Sequence, residues 1–234
     1  MRVRALFASL AVAGCSDDAE TSIGDAPTVQ PMLMISGRVE AHTAGGSQPL
    51  AGVAIGAYRN GVDGPAAITG TSDANGDYAL VFETGGVALD GYLKATMSTY
   101  LDTYLYPPRP VTTDFTHARI AMLTADSLSL LSDTLCGATQ QAGNAAIIAI
   151  VADAADQPVA GATVGSSPAA AKYCYNIGGF PNRNASSTDG DGIAYYLDVP
   201  AGRVAVTAIK AGLTLPSHSL LALPDVLTTT LIIP

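Results

Sequence analysis

The chain has 234 residues, 48% of them apolar and only 13% charged, with 24 Gly and 14 Pro. That turn-rich, charge-poor composition favours an all-β protein, and the length suits one large domain or two small ones. A formal net charge of −9, with no Lys/Arg cluster anywhere, excludes a nucleic-acid partner and excludes docking on anionic lipid by charge alone.

Residues 1–14 open with Arg2 and Arg4, continue through the apolar stretch Ala5–Ala13 and end on small residues. This is the pattern of a secretory signal, too short to span a bilayer. The stretch Leu10-Ala11-Val12-Ala13-Gly14-Cys15 resembles the lipobox of bacterial lipoproteins. The resemblance implies cleavage before Cys15, acylation of Cys15 and, with Ser16 next to it, an outer-membrane address on the periplasmic or cell-surface face. The alternative is an ordinary secretory signal followed by an incidental Cys. Cleavage removes two arginines, so −9 becomes −11. Acyl chains, at ~0.8 kcal/mol per buried CH₂, would hold the protein on a membrane without a spanning helix. Residues 15–30 are polar, acidic and unpatterned, which predicts a flexible tether.

The rest of the chain says the same thing twice, over 31–123 and 143–234. The first copy runs Ile35-Ser-Gly-Arg-Val39, then Pro49-Leu-Ala-Gly52-Val53-Ala-Ile55, then Ser72-Asp73-Ala-Asn75-Gly76-Asp77-Tyr78-Ala-Leu80. The second runs Ile148–Asp153, then Pro158-Val-Ala-Gly161-Ala162-Thr-Val164, then Thr188-Asp189-Gly-Asp191-Gly192-Ile193. The offset is 109 at the Pro-x-Ala-Gly element and 116 at the Asp-x-x-Gly element, so the second copy carries seven extra residues around Tyr173–Arg183. Pro fixes φ before a turn, Gly lets the chain reverse, and Asp caps the hairpin that follows. Tyr78, Leu80 and Phe82 then fall on one strand face, as do Val204 and Val206, and Leu227–Ile233 reads as a Thr-rich closing strand.

These elements resemble the carboxypeptidase regulatory-like domain, a transthyretin-like or Cna-B-like seven-strand β-sandwich. The resemblance covers about 33–106 and 146–209, and it implies two tandem Greek-key sandwiches. The second copy departs from the family pattern at Ala149, where the first strand has Gly, and at Ala194, where a Tyr is expected.

Between the copies, residues 124–142 predict a short helical connector. Thr124 can N-cap, Asp126 suits the positive helix end, Leu128, Leu131 and Leu135 share a face, and Gly137 can end it. Cys136 and Cys174 then remain, and in an exported protein two cysteines suggest one disulfide. Two buried free thiols are the alternative.

Catalytic constellations are missing. His42, His117 and His218 are scattered, and the sequence holds no G-x-S-x-G and no H-E-x-x-H. No enzyme activity and no cofactor are therefore expected. Asp73, Asn75, Asp77, Asp189 and Asp191 could offer hard oxygen ligands to Ca²⁺, though hairpin capping explains the same residues and Thr84 stands where an EF-hand has its bidentate Glu. Iron held by tyrosines lacks paired histidines. Two stretches could bind a ligand. Tyr100, Tyr104 and Tyr106 would share a strand face by parity, and beside Asp102 and Arg109 they could stack on sugars, unless they are a packed sheet face. The inserted loop with Tyr173 and Tyr175 is the other, since loops on rigid sandwiches commonly carry recognition. The expected function is a non-catalytic, lipid-anchored envelope protein, a spacer or a recognition module for glycan or protein. A metal-binding domain or enzyme built on the Asp turns and tyrosines is the alternative.

Overall fold

A computed structural model of the chain describes residues 28–43, 46–61 and 64–234. The expected signal segment, Cys15 and most of the expected tether lie outside them. The protein is all-β, about 49% strand and 6% helix. No helix among the described residues is long and apolar enough to cross a membrane.

The first half supplies β1 (Met32–Thr43), β2 (Gly46–Pro49), β3 (Ala54–Arg59), β4 (Ile68–Thr71), β5 (Asp77–Glu83), β6 (Gly91–Thr96), β7 (Thr103–Tyr106) and β8 (Ile120–Met122). The second supplies β9 (Ala145–Val151), β10 (Thr163–Ser167), β11 (Lys172–Ile177), β12 (Phe180–Asn182), β13 (Ile193–Val199), β14 (Gly202–Ile209), β15 (His218–Ala222) and β16 (Leu227–Ile232). They form three sheets: one of nine strands, ordered β12-β11-β13-β9-β16-β7-β6-β3-β4, one of β2, β1, β5 and β8, and one of β10-β14-β15.

The repeated phrase has a mechanical explanation. The Ser72 hydroxyl donates to Leu50 O (2.7 Å) and accepts from Val53 N–H (3.0 Å). Thr188 does the same in the second half, donating to Val159 O (2.6 Å) and accepting from Ala162 N–H (2.9 Å). Each hydroxyl clamps the Pro-x-x-Gly turn onto the segment that enters the Asp turn. Gly76 and Gly192 also match: both have positive φ, and a Cβ would meet Val39 O at 2.5 Å or Val151 O at 2.4 Å. Since Thr188 is 4% exposed, Thr188→Val should leave a buried N–H and C=O unpaired and lower unfolding stability by about 2–3 kcal/mol. Urea denaturation measures this, and a loss below about 0.5 kcal/mol would contradict the clamp.

The second copy's departures are linked. In the first half, a Cβ on Gly37 would meet Ala118 O at 2.0 Å, and Tyr78, opposite Gly37 on β5, donates its hydroxyl to that oxygen (2.6 Å). In the second half Ala149 lies opposite Ala194 and pairs on its other side with Thr230 of β16, in an unbroken parallel ladder. A regular ladder needs neither the close approach nor the Tyr, so Gly and Tyr are replaced together.

Alternation in β7 decides the layers. Leu105 joins Ile55, Leu93 and Ala95 beneath β1 and β5, with Leu33, Ile35, Val39 and Leu80. Tyr104 and Tyr106 face the other way and join Ile147, Ala149, Val151 and Tyr196 beneath β14 and β15, with Val204, Val206 and Leu220. The two smaller sheets thus cover opposite faces of one long sheet, at opposite ends. What joins the halves is β16, which pairs in parallel with β9 on one side and with β7 on the other.

The connector differs in detail from the expectation. Thr124 does cap, accepting from Ser127 N–H, but only Ala125–Ser129 is α-helical, and Leu130–Cys136 is a π-helical turn. A π-turn carries the face forward by five residues rather than four. Leu131 and Cys136 are therefore buried while Leu135 is displaced from that face. The connector rests with Leu123, Leu128 and Leu131 on Ala146, Tyr195, Leu197 and Leu227. Cys136 and Cys174 form a disulfide, Cα atoms 5.7 Å apart, tying it to β11.

Candidate functional site

Where β3 and β7 end and β6 begins, the first half meets the start of β15. The chain leaves β7 as Tyr106-Pro107-Pro108-Arg109-Pro110, where three prolines with fixed φ stiffen a segment that bends at Pro108 and Arg109. A notch of about 160 Å³ results, lined by Asn60, Asp90, Tyr106, Arg109, His218 and Ser219 together with the prolines. Tyr106, in its lining, ends a tyrosine ladder. Tyr58 and Tyr92 face each other across β3 and β6, stacked at 5.4 Å. Tyr92 lies 5.2 Å from both Tyr104 and Tyr106.

The polar groups are of mixed character. Asp90 Oδ1 accepts from Asn60 Nδ2 (2.8 Å), and the Asp90 backbone carbonyl accepts from Asn60 N–H (2.9 Å). Tyr106 is 2% exposed, and apart from a loose approach by the Leu221 backbone N–H its Oη has no hydrogen-bond partner among the described residues; buried Nε2 of half-buried His218 has none either. Burial, with Tyr92 adding to it, pushes the Tyr106 phenol up to about 12. Burial lowers the His218 pKa, opposed by the Asp90 carboxylate. A His whose folded pKa is depressed binds its proton first in the unfolded chain, so stability is full above about pH 6.5 and falls as pH drops below it. His42 is shifted the same way, also by burial. The melting temperature should therefore fall between pH 7.5 and pH 5, and His218→Asn should make that fall shallower. An unchanged pH slope in the variant, read by differential scanning calorimetry, would contradict this.

Some expected residues come together here and others do not. Tyr106 and Arg109 line the notch, and Tyr104 stands behind it in the ladder, against Tyr92. Asp102 lies further along the ladder, paired with Lys94 at 2.8 Å, whose Nζ sits 5.5 Å from the Tyr104 ring centre. Tyr100 does not share their face: it precedes β7 in a turn, after Thr99 at positive φ, and packs on the opposite core. Tyr173 and Tyr175 pack on the core of the second half rather than presenting themselves on the loop. Their hydroxyls accept from Ser166 N–H and Val164 N–H, both at 3.0 Å, bracing β11 against β10. Asn60, Asp90, Tyr58, Tyr92 and His218 were not singled out by the sequence, because they come from three separate strands and carry no local motif.

The Asp turns are occupied by their own hairpins. Asp73 Oδ1 accepts from Asn75 N–H (2.8 Å) and Asp77 N–H (2.9 Å), and Asp77 pairs with Arg38 at 2.7 Å. Asp189 accepts from Gly178 N–H and Asp191 from Asn176 Nδ2, both at 2.6 Å, so they anchor the inserted hairpin. The backbone N–H groups of Gly190 and Gly178 hold the Asp189 carboxyl below its ordinary range. Among the described residues no three His, Cys, Asp or Glu side chains gather as a metal site. A more open groove of about 430 Å³ runs beside Gly37, Tyr78, His117 and Arg119, but its Arg38 and Asp77 are taken up by each other.

No family model matches the chain, and no curated protein matches it. Among solved structures, it is similar to the Bacillus anthracis TIE protein, at 12% identity and TM-score 0.28, covering 87% of this chain and 33% of that one. It is also similar to the shaft pilin SpaA of Lactobacillus rhamnosus GG, at 12% identity and TM-score 0.26, covering 87% and 97%. A minor pilin of Streptococcus agalactiae aligns at 11% identity and TM-score 0.29, covering 87% and 95%. The chain spans a third of the first of these proteins. Similarity at this level carries no argument about function, which rests on the geometry above.

Proposed function

We propose that the chain is a non-catalytic surface module of the cell envelope, held on the outer membrane by acylated Cys15 and recognising a glycan with the notch beside the tyrosine ladder. The observation that carries this reading is the shared nine-stranded sheet. A sheet running through both halves makes them one stiff body, which suits a protein that must hold a recognition surface away from a membrane. The candidate catalytic types are also dispersed: His42, His117 and His218 lie on β1, before β8 and on β15.

Radiolabelled fatty-acid incorporation in the exporting cell tests the anchor. Label is expected on the natural chain and absent from Cys15→Ala. Equal labelling of both, or of neither, overturns the lipoprotein part. A glycan array probed with the whole chain tests recognition. Its failure alongside a positive pull-down of an envelope protein would move the function to protein recognition.

A further inference from the structure

The geometry points to the notch as a site for one sugar ring: the end residue of a glycan, seated between Asp90, Asn60, Arg109 and His218. This deepens the recognition reading above and rests on it.

The choice of ligand follows from the chemistry of the rim. Asp90, Asn60, Arg109 and Ser219 are all exposed at the mouth. Asn60 binds Asp90 Oδ1, which fixes the carboxylate and leaves Oδ2 as an acceptor. Arg109 makes no hydrogen bond or ion pair with any described residue, so its five N–H donors face outward. Beneath them, Tyr106 Oη and His218 Nε2 are two of the three buried side-chain polar atoms without a protein partner among the described residues. Buried polar groups are nearly always paired, so an unpartnered His218 Nε2, beside a Tyr106 Oη that only the Leu221 N–H approaches, suits a notch that takes a polar occupant. Both residues belong to the lining of the notch.

The occupant needs donors for Asp90, acceptors for Arg109, and an apolar side for Pro108 and Pro110. An inorganic phosphate would meet Asp90 unfavourably on a chain of net charge −9. A cation would meet Arg109 and find a single carboxylate. A hydroxyl-bearing ring offers alternating donors and acceptors at its edge and C–H groups on its face. The notch's 160 Å³ is roomier than one water requires and is of the order of one such ring.

Saturation-transfer NMR on the intact chain in detergent tests this, with the methyl glycosides of glucose, galactose, mannose and N-acetylglucosamine as probes. At least one is expected to receive saturation. Asp90→Ala should weaken its binding at least tenfold, as loss of a charged hydrogen bond does. Arg109→Ala, which disturbs no pairing within the protein, should weaken it severalfold with the melting temperature unchanged. Binding that survives both variants overturns the site but leaves glycan recognition standing. A positive array together with no saturation of any probe at about 10 mM does the same. A negative array and no saturation overturn both readings.

Discussion

Ending the chain at Asp225 is expected to disrupt both halves, although the deleted strand lies in the second. β16 pairs from Leu227 to Ile232 with Ala146–Val151 of β9, and from Leu227 to Thr230 with Thr103–Tyr106 of β7. Its side chains are almost wholly buried, Leu227 and Ile232 in two different apolar clusters. Thr229 and Thr230 donate their hydroxyls to Tyr104 O (3.3 Å) and Tyr106 O (2.9 Å). Leu227 and Ile232 are worth about 1.5–3 kcal/mol each in burial. Two ladders of hydrogen bonds add about 0.5–1.5 kcal/mol per bond. The sum reaches the whole stability of an ordinary domain, about 5–15 kcal/mol. Hydrogen exchange on the truncated chain should lose protection at β7 and β6 as well as at β9. A melting temperature within about 3 °C of the intact chain, or protection lost in the second half alone, would mean that the halves stand independently. Thr229→Pro is the gentler version, since a central strand tolerates no Pro, and it should be destabilising in the same two places.

That central strand marks the boundary of what the sequence discloses. The turn phrases are legible because their causes are local: a hydroxyl, an Asp and a Gly within a few residues of one another, twice. The strand Leu227–Ile232 is legible as a strand, since Thr, Leu and Ile on both faces point to burial on both. Its position between β9 and β7 is not, because parallel pairing with Tyr104 lies 124 residues back and leaves no local trace. The connector misleads at its end because three leucines at helical spacing fit an α-helix, while the π-turn that replaces its second half is chosen by the buried Cys136. Parity misleads at Tyr100 because the turn at Met97–Tyr100 resets the alternation before β7 begins. The notch was half visible, as Tyr106 and Arg109, and the missing half comes from Asn60, Asp90 and His218, residues that only sheet order and the packing of β15 bring together.

Removing the disulfide should have the second-largest effect. Cys136 and Cys174 are fully buried and 38 residues apart. Closing a loop of that length restricts the unfolded chain by about 4 kcal/mol in the chain-entropy account. For a chain of this size, that corresponds to a melting temperature lower by roughly 10 °C in Cys136→Ser/Cys174→Ser. The local effect is specific. The disulfide holds the π-turn against β11, and the only other polar tie across that contact among the described residues is Arg183 donating to Thr134 O. Exchange should therefore quicken first at 130–136 and 172–182, while β1, β5 and β6 in the first half keep their protection below the global transition. Since both sulfurs are inaccessible, a mild reductant should leave the native protein oxidised and cleave the bond only after denaturant opens the fold. A serine double variant that melts within about 2 °C of the natural chain would show that the connector is held by its leucines on Leu197 and Leu227 rather than by the covalent tie. Uniform loss of protection across both halves would show that this corner is as central to the fold as β16.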